Sequence, residues 1–330
     1  MDENESSCSI LRDLKLDNIE EILSESYHQN GAGRPPRKPL GIFKALIIKR
    51  AKQIPSDREL YRRMWNDETL REICNIEAQE KPYHPSQLTR FRNRVGVKRL
   101  ESIMNSLIKE LIEKKVVSGR KVVFDATFVK AYSKRDLHDN SKGGSDPEAR
   151  VGRNGKTYDL GYKLHIAVDA KSELPLAVIV APANDNEKKH APELFKKALK
   201  VTKRRMKLMI ADSQYSSSGQ REQAAKAGVH VVIPYPVNQM RGKKGLLRVD
   251  RFFRTHGPKR EKRLYRLRSS IERVNSRLKV QLCLKNHRVR SLVRVRIHSL
   301  LCLVAMLLNA VAAVRLKAVD KARSITLLAK

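Results

Sequence analysis

Apolar positions in the first third of the chain recur at helical rather than alternating spacing. They predict helices over residues 17–26, 40–53, 56–66 and 68–74, the third opening on Ser56 with Glu59 three residues on, a capping box. Gly31-Ala-Gly-Arg-Pro-Pro-Arg-Lys-Pro39 breaks the pattern and reads as a basic linker near 31–39, and Pro82-Tyr-His-Pro85 breaks it again. Ser86 is expected to cap a helix over 87–95 that Gly96 stops, before a longer amphipathic helix from Lys98 to about Lys115. Short helices joined by tight turns suggest a helix-turn-helix-like module over residues 1–117.

At Arg120 the period changes. Val122-Val-Phe-Asp125 is a β-branched and aromatic run, the signature of a buried strand. A polar, Gly-containing stretch over 133–157 is expected to be a mobile loop. Residues 162–168 and 174–181 then form a hairpin about Asp169-Ala-Lys-Ser172. Helix 187–201, strand 207–211, helix 219–227 and strand 229–235 complete the series. Strands followed by alternating elements imply an α/β domain, a mixed sheet flanked by helices, over 118–318. Residues 236–260 read as a small basic insert. The last 72 residues hold neither Gly nor Pro and are expected to be all helical, with a tail at 319–330.

Composition narrows the partners. The 330 residues carry 69 Lys and Arg against 35 Asp and Glu, a net charge of +34. Apolar content of 41% excludes simple disorder, and so large a positive excess calls for an anionic partner such as nucleic acid. With 1 Trp, 9 Tyr and 7 Phe, aromatics are too scarce for a single-strand binder built on base stacking. Cys8, Cys74, Cys283 and Cys302 form no Cys-x-x-Cys pair and read as reduced thiols; Cys283 and His287 are two candidate ligands, too few for a metal site. Residues 1–30 are acidic, unlike a secretory leader. Residues 300–314 are apolar except for Asn309, but a span needs about 20 residues, so a core helix of a cytoplasmic protein is expected rather than a membrane segment.

Candidate chemistry sits in three carboxylates. Asp125 and Asp212 each end an apolar strand (Val122-Val-Phe-Asp and Leu208-Met-Ile-Ala-Asp), where burial disfavours a bare carboxylate unless a cation or strong donors meet it. A helix cap or turn is the alternative for either alone, and Asp169 reads as the turn residue of the hairpin. Over 262–279, Leu264, Leu267, Ile271, Val274 and Leu278 form a core stripe. At about 100° per residue, Tyr265, Arg268, Glu272 and Lys279 share a second narrow face. Residues 241–296 hold 20 Lys and Arg and 3 Asp and Glu, so Glu272 stands in the most basic part of the chain; simple pairing with Arg268 is its plainer reading. In the helical module, Arg90 and Arg92 of Ser86-Gln-Leu-Thr-Arg-Phe-Arg-Asn-Arg94 are side chains of the kind that enter a DNA groove, or else an ordinary solvated face.

Tyr265-x2-Arg268-x3-Glu272-x6-Lys279 resembles the Tyr–Arg–Glu–Lys signature of transposases of prokaryotic insertion sequences, of the IS-four type. Asp125 at a first strand, Asp212-Ser-Gln-Tyr215, Ser145-Asp-Pro-Glu-Ala-Arg150, Gly161-Tyr-Lys-Leu-His-Ile-Ala-Val-Asp169 and Pro85-Ser-Gln-Leu-Thr-Arg-Phe-Arg92 are similar to stretches of the same family. Ser213-Gln214 departs from it, since many relatives have Gly just before the Tyr. The resemblance implies a ribonuclease-H-like catalytic domain whose DDE triad, Asp125, Asp212 and Glu272, binds two Mg²⁺ ions, with Mn²⁺ able to substitute. It also implies phosphate contacts from Tyr265, Arg268 and Lys279, and double-stranded DNA (element ends and target) as substrate. The N-terminal helical module would bind the ends, in a homodimer, in the cytoplasm at the nucleoid. A metal-dependent nuclease and a non-enzymatic DNA-binding descendant are the competing readings.

Overall fold

Residues 10–27, 36–236 and 259–329 are described in the computed structural model. The chain divides into two compact units: 1–111 with 277–287 and 296–330, and 112–276 with 288–295. This differs from the division expected at residues 117 and 318. The C-terminal helical region belongs to the first unit, because short N-terminal helices need an apolar surface to pack against.

In the first unit, α1 (Asp17–Ser24), α2 (Pro39–Ala51), α3 (Asp57–Asn66) and α4 (Glu68–Ile73) follow the sequence pattern. Helix α2 buries side chains all around its circumference, as a central core helix must. Ser56 caps α3 by accepting from the Glu59 N–H at 3.0 Å, as its sequence suggests, and Asp67 caps α4 through the Leu70 N–H at 2.8 Å. The long helix α5 (Pro85–Glu113) starts two residues earlier than expected. Pro85 occupies the first helical position, and Gln87 Oε1 reaches back to accept from the His84 N–H at 2.9 Å, so Ser86 is not the cap. Gly96, at φ 63° and ψ −173°, breaks α5 in two where a stop was expected.

The C-terminal helix, Leu292–Arg315, is long and apolar enough to cross a membrane by composition, yet 94% of its most apolar window is buried inside the protein. It is a core helix. Its lone interior amide, Asn309, donates from Nδ2 to the Ser324 carbonyl, which anchors the following turn. The all-helical expectation fails at 281–291, where Cys283 and Ser291 take positive φ of 59° and 75°. In the second unit, Asp146 and Glu148 accept from the N–H groups of Ser291 and Leu292 and so start the next helix from outside it.

The second unit is built on a six-stranded mixed sheet. Strand β1 (Lys121–Lys130) lies between β3 (Thr157–Asp169), antiparallel to it, and β5 (Leu208–Ile210), parallel to it; β6 (His230–Val232) extends the parallel side. Along its other edge β3 pairs with β2 (Arg150–Asn154) and then with β4 (Pro175–Pro182). The resulting order, three antiparallel strands followed by two parallel ones, is ribonuclease-H-like. Helix α6 (Glu187–Val201) packs against β3 and β4. Where a mobile loop was expected, residues 150–157 close a hairpin: Asn154 pairs with Thr157, and Gly155 takes the positive φ (64°) that the Asn-Gly turn requires. Asp169 does the turn work expected of it. Fully buried, it accepts from Gly119 N–H at 2.8 Å and Ser118 Oγ at 3.0 Å with one oxygen, and from Ser172 N–H and Oγ with the other. Most of the expected basic insert, and part of the linker, lie outside the described residues.

One polar cluster inside the first unit sets its packing. Asp57 accepts from Lys49 Nζ at 2.6 Å and from Arg92 Nη1 at 3.2 Å, all three side chains being 16–17% exposed. Burial pushes the carboxyl up, but Arg92 and Lys49 outweigh it and hold Asp57 below the usual carboxylate range. Replacing it leaves two cations facing each other in a poorly solvated place. Asp57→Asn is therefore expected to lower stability by about 3 kcal/mol, read as a drop in the urea midpoint without a change in slope.

Candidate active site

The parallel register between β1 and β5 brings the two aspartates together. Val123 and Ile210 are the last pair of that ladder, and Asp125 and Asp212 each follow it by two residues, near enough for the charge of Asp125 to act on Asp212. Asp125 does not end its strand as expected; β1 continues to Lys130 on its pairing with β3. Its partner β5 stops at Ile210, and the chain turns off there, with Asp212 Oδ1 capping the short 3₁₀ turn Ser213–Tyr215 through the Gln214 N–H at 3.0 Å. The unusual Ser213-Gln214 thus forms an ordinary turn behind the aspartate.

Placing two carboxylates side by side in a mostly buried setting is unfavourable. Burial raises Asp125 above its ordinary value, partly offset by Arg268. Burial, and then the neighbouring charge of Asp125, push Asp212 up to about 7. Such a pair calls for a cation.

The third carboxylate arrives from the helical region, though not on one continuous helix. α7 (Ser218–Lys226) follows the aspartate turn; α8 (Lys259–Tyr265) then leads through a 3₁₀ turn, Arg266–Arg268, into α9 (Ser269–Val280). Tyr265 is 2% exposed and belongs to the core rather than to an open face. Ile271, Val274 and Leu278 are fully buried as expected, while Leu264 and Leu267 are only half-buried. Glu272, 58% exposed, faces solvent, with Arg268 Nη1 at 3.5 Å from its Oε1 and Arg268 Nη2 at 3.6 Å from Asp125 Oδ1. One guanidinium therefore spans the gap between the first aspartate and the glutamate. Tyr265, Arg268 and Glu272 line a cavity of about 470 Å³ together with Lys262, Arg266 and Ser269. Lys279 lies in the last turn of α9, within the first unit.

Asn275 was not singled out by sequence, although it sits three residues beyond Glu272 on the helix. It is 9% exposed, donates from Nδ2 to Asp125 Oδ2 at 3.1 Å, and leaves its buried Oδ1 without a hydrogen-bond partner. A second group was also missed. Tyr215 Oη and His165 Nδ1 share a hydrogen bond of 3.2 Å, the His165 and His190 rings are 4.8 Å apart, and His190 Nε2 contacts Asp185 Oδ2 at 2.9 Å. Lys163 pairs with Glu187 at 2.7 Å alongside. A polar alternation in Lys163-Leu-His165 of an otherwise buried strand is the signal that would have found it. This network fixes the far end of the Asp212 turn from behind.

Among the described residues no three His, Cys, Asp or Glu side chains gather closely enough to hold a metal ion as they stand. The donor set nevertheless fits a hard divalent cation: oxygen ligands only, two of them mutually repelling aspartates, and a buried amide oxygen beside them with no partner. In the first unit the two arginines part company. Arg92 is held by Asp57, so its guanidinium is committed to the core and does not lie open to a groove, contrary to expectation. Arg90 is exposed and lines a cleft of about 910 Å³ with Arg37, Lys81, His84, Gln87 and Arg94.

A family model described as a transposase DDE domain matches residues 118–308, more than half of the chain. This chain belongs to that family. A second model, described as a transposase domain, matches residues 3–94. The protein is thus a DDE transposase, an enzyme of DNA strand cleavage and strand transfer, and members of its family generally use divalent metal ions. Among solved structures, the chain is similar to a piggyBac transposase synaptic complex with hairpin DNA, at 9% identity and a TM-score of 0.47, covering 98% of this chain and 78% of that one. A Mos1 transposase paired-end complex with left transposon end aligns at 13% identity and a TM-score of 0.23, covering 78% and 81%. At these scores the strand order, rather than the likeness, carries the fold.

His165 gives a measurable signature. Burial, then the nearby His190, push its imidazole down to about 3, so it is neutral in the folded transposase. The unfolded chain takes up a proton near the ordinary value of about 6.5. His165 neutrality therefore costs nothing above that value, and stability is lost as pH falls from about 6.5 toward 3, by up to about 1.4 kcal/mol per pH unit. His165→Phe is expected to flatten that part of the stability–pH curve, measured by urea unfolding at several pH values; a curve parallel to wild type contradicts the assignment.

Proposed function

We propose that Asp125, Asp212 and Glu272 are the DDE triad of this transposase and hold two Mg²⁺ ions, which Mn²⁺ can replace, at a site that cuts the ends of an insertion sequence and joins them to target DNA. The observation that carries the proposal is the mutual influence of Asp125 and Asp212, each two residues past the last pair of the β1–β5 ladder, which concentrates negative charge where no hydrogen-bonding partner fully offsets it. Divalent cations held there supply Lewis acidity toward the scissile phosphate and lower the pKa of an attacking water or 3′-hydroxyl.

The chain's own groups do the rest. Asn275 orients Asp125 through its amide, and the Tyr215–His165 bond keeps the Asp212 turn from swinging away. Arg268, with Lys262 and Arg266 in the adjoining cavity, receives backbone phosphates, Arg268 being able to do so bidentately. Tyr265 supports that wall from the core, and Lys279, in the first unit, is a further phosphate contact. The helical region over residues 1–117 binds the element ends, with Arg90 at its basic cleft as a contact residue, and two copies of the chain act on the two ends of one element. The presence of Asp125, Asp212 and Glu272 together favours a cleaving enzyme over a DNA-binding descendant, since a mere binder gains little by facing phosphates with three carboxylates.

Two sets of variants test this. Asp125→Ala, Asp212→Ala and Glu272→Ala are each expected to lower Mg²⁺-dependent cleavage of an end-bearing duplex by several orders of magnitude while leaving its binding intact; wild-type cleavage by any of the three removes that residue from the triad. Arg90→Ala is expected to weaken DNA binding and reduce the salt slope by about one unit, whereas Arg92→Ala lowers the melting temperature. The reverse pattern would place the DNA contact at Arg92.

A further inference from the structure

Arg268, assigned above to backbone phosphates, is engaged in this structure by two carboxylates. Its side chain is 17% exposed, and its two terminal nitrogens lie 3.6 Å from Asp125 and 3.5 Å from Glu272. Its charge is also the one that opposes the upward push on both Asp125 and Asp212. The 3₁₀ turn at Arg266–Arg268 explains the reach: by interrupting the run between α8 and α9, it sets Arg268 just ahead of the first turn of α9, close over the strand that carries Asp125.

A guanidinium spread across two carboxylates and divalent cations bound to the same oxygens exclude each other. They compete for the same lone pairs, and they repel as like charges at short range in a poorly solvated place. When cations enter, the displaced guanidinium needs another anion, and a planar fork of donors is matched by a backbone phosphate. Resting on the triad assignment above, we propose that Arg268 is the internal counter-ion of the metal-free site. It holds Asp125 and Glu272 until DNA arrives, then passes to a phosphate as the metal ions bind. Metal and DNA consequently bind cooperatively. By linkage each strengthens the other by the same factor, of the order of 5- to 150-fold for couplings of this kind. DNA-free protein stays largely unloaded, which keeps a reactive centre closed until a substrate is present.

The test is Mn²⁺ binding to the full chain, followed by electron paramagnetic resonance, with and without a short mixed-sequence duplex. Wild type is expected to bind Mn²⁺ weakly alone and several-fold more tightly with the duplex. Arg268→Gln, which keeps the side chain's bulk and removes its charge, is expected to bind Mn²⁺ at least about fivefold more tightly than wild type without DNA and to lose most of the dependence on the duplex. An unchanged or weaker Mn²⁺ affinity for Arg268→Gln without DNA overturns the proposal. Circular dichroism establishes whether that variant is folded. If it is not, Arg268→Lys, which keeps the charge but spans the two carboxylates less well, is titrated instead; an intermediate rise supports the proposal, and wild-type affinity overturns it. Asp125→Asn is the control for the underlying assignment. Loss of Mn²⁺ binding there, with no rise in the Arg268 variants, refutes the counter-ion alone, whereas retained wild-type binding refutes the triad.

Discussion

Everything at the centre of this transposase follows from one electrostatic conflict, the burial of Asp125 beside Asp212. Strand pairing forces it. The β1–β5 ladder ends at Val123 and Ile210, Asp125 stays held by its pairing with β3, and the turn that follows β5 holds Asp212. A fold that sets like charges together must supply something to hold them, and the surroundings show several partial answers: the Gln214 N–H on Asp212, the Asn275 amide on Asp125, and the Arg268 guanidinium across Asp125 and Glu272. None of these is a full counter-charge for the pair. The proposed triad rests on this unmet charge: a site of this kind is preorganised for a stronger cation.

The same sheet separates structural carboxylates from chemical ones. Asp169 is more deeply buried than Asp125, yet all its acceptor positions are met by N–H and O–H donors from Gly119, Ser118 and Ser172. Its position is that of a satisfied turn. Asp57 is half-buried, and two cations meet it at short range. Burial of an acid therefore says little by itself; whether the surrounding donors match its lone pairs is what distinguishes a staple from a ligand.

Much of this was visible in the sequence because the decisive residues follow local rules. Apolar runs ending in Asp125 and Asp212 marked the strands, Gly96 marked the break in α5, and Glu272 stood out against the basic stretch around it. The failures have equally local causes. Asn154-Gly155 is a recognisable turn dipeptide, but it lies inside a polar stretch whose composition alone points to irregular structure. The absence of Gly and Pro at 281–291 permitted a helix, but capping from Asp146 and Glu148, remote in sequence, decided against one. A strict helical wheel over 262–279 missed the 3₁₀ turn, and with it the burial of Tyr265 and the reach of Arg268. Arg92 looked like its neighbour Arg90 because nothing nearby in sequence reveals Asp57, 35 residues away, as its partner.

The make-up of the first unit has a consequence for how the chain acquires its structure. Residues 112–276 are continuous and carry the whole sheet, and the second unit needs only residues 288–295 besides them. The N-terminal helices need more. Their core is completed by residues 277–287 and 296–330, including the wholly buried stretch from Leu300 to Leu308. Although synthesised first, they must wait with α2's apolar surface unsatisfied until the last helix emerges, reversing the usual N-to-C order of folding. The interval in which that surface is open to chaperones, proteases or a second nascent chain is set by translation time.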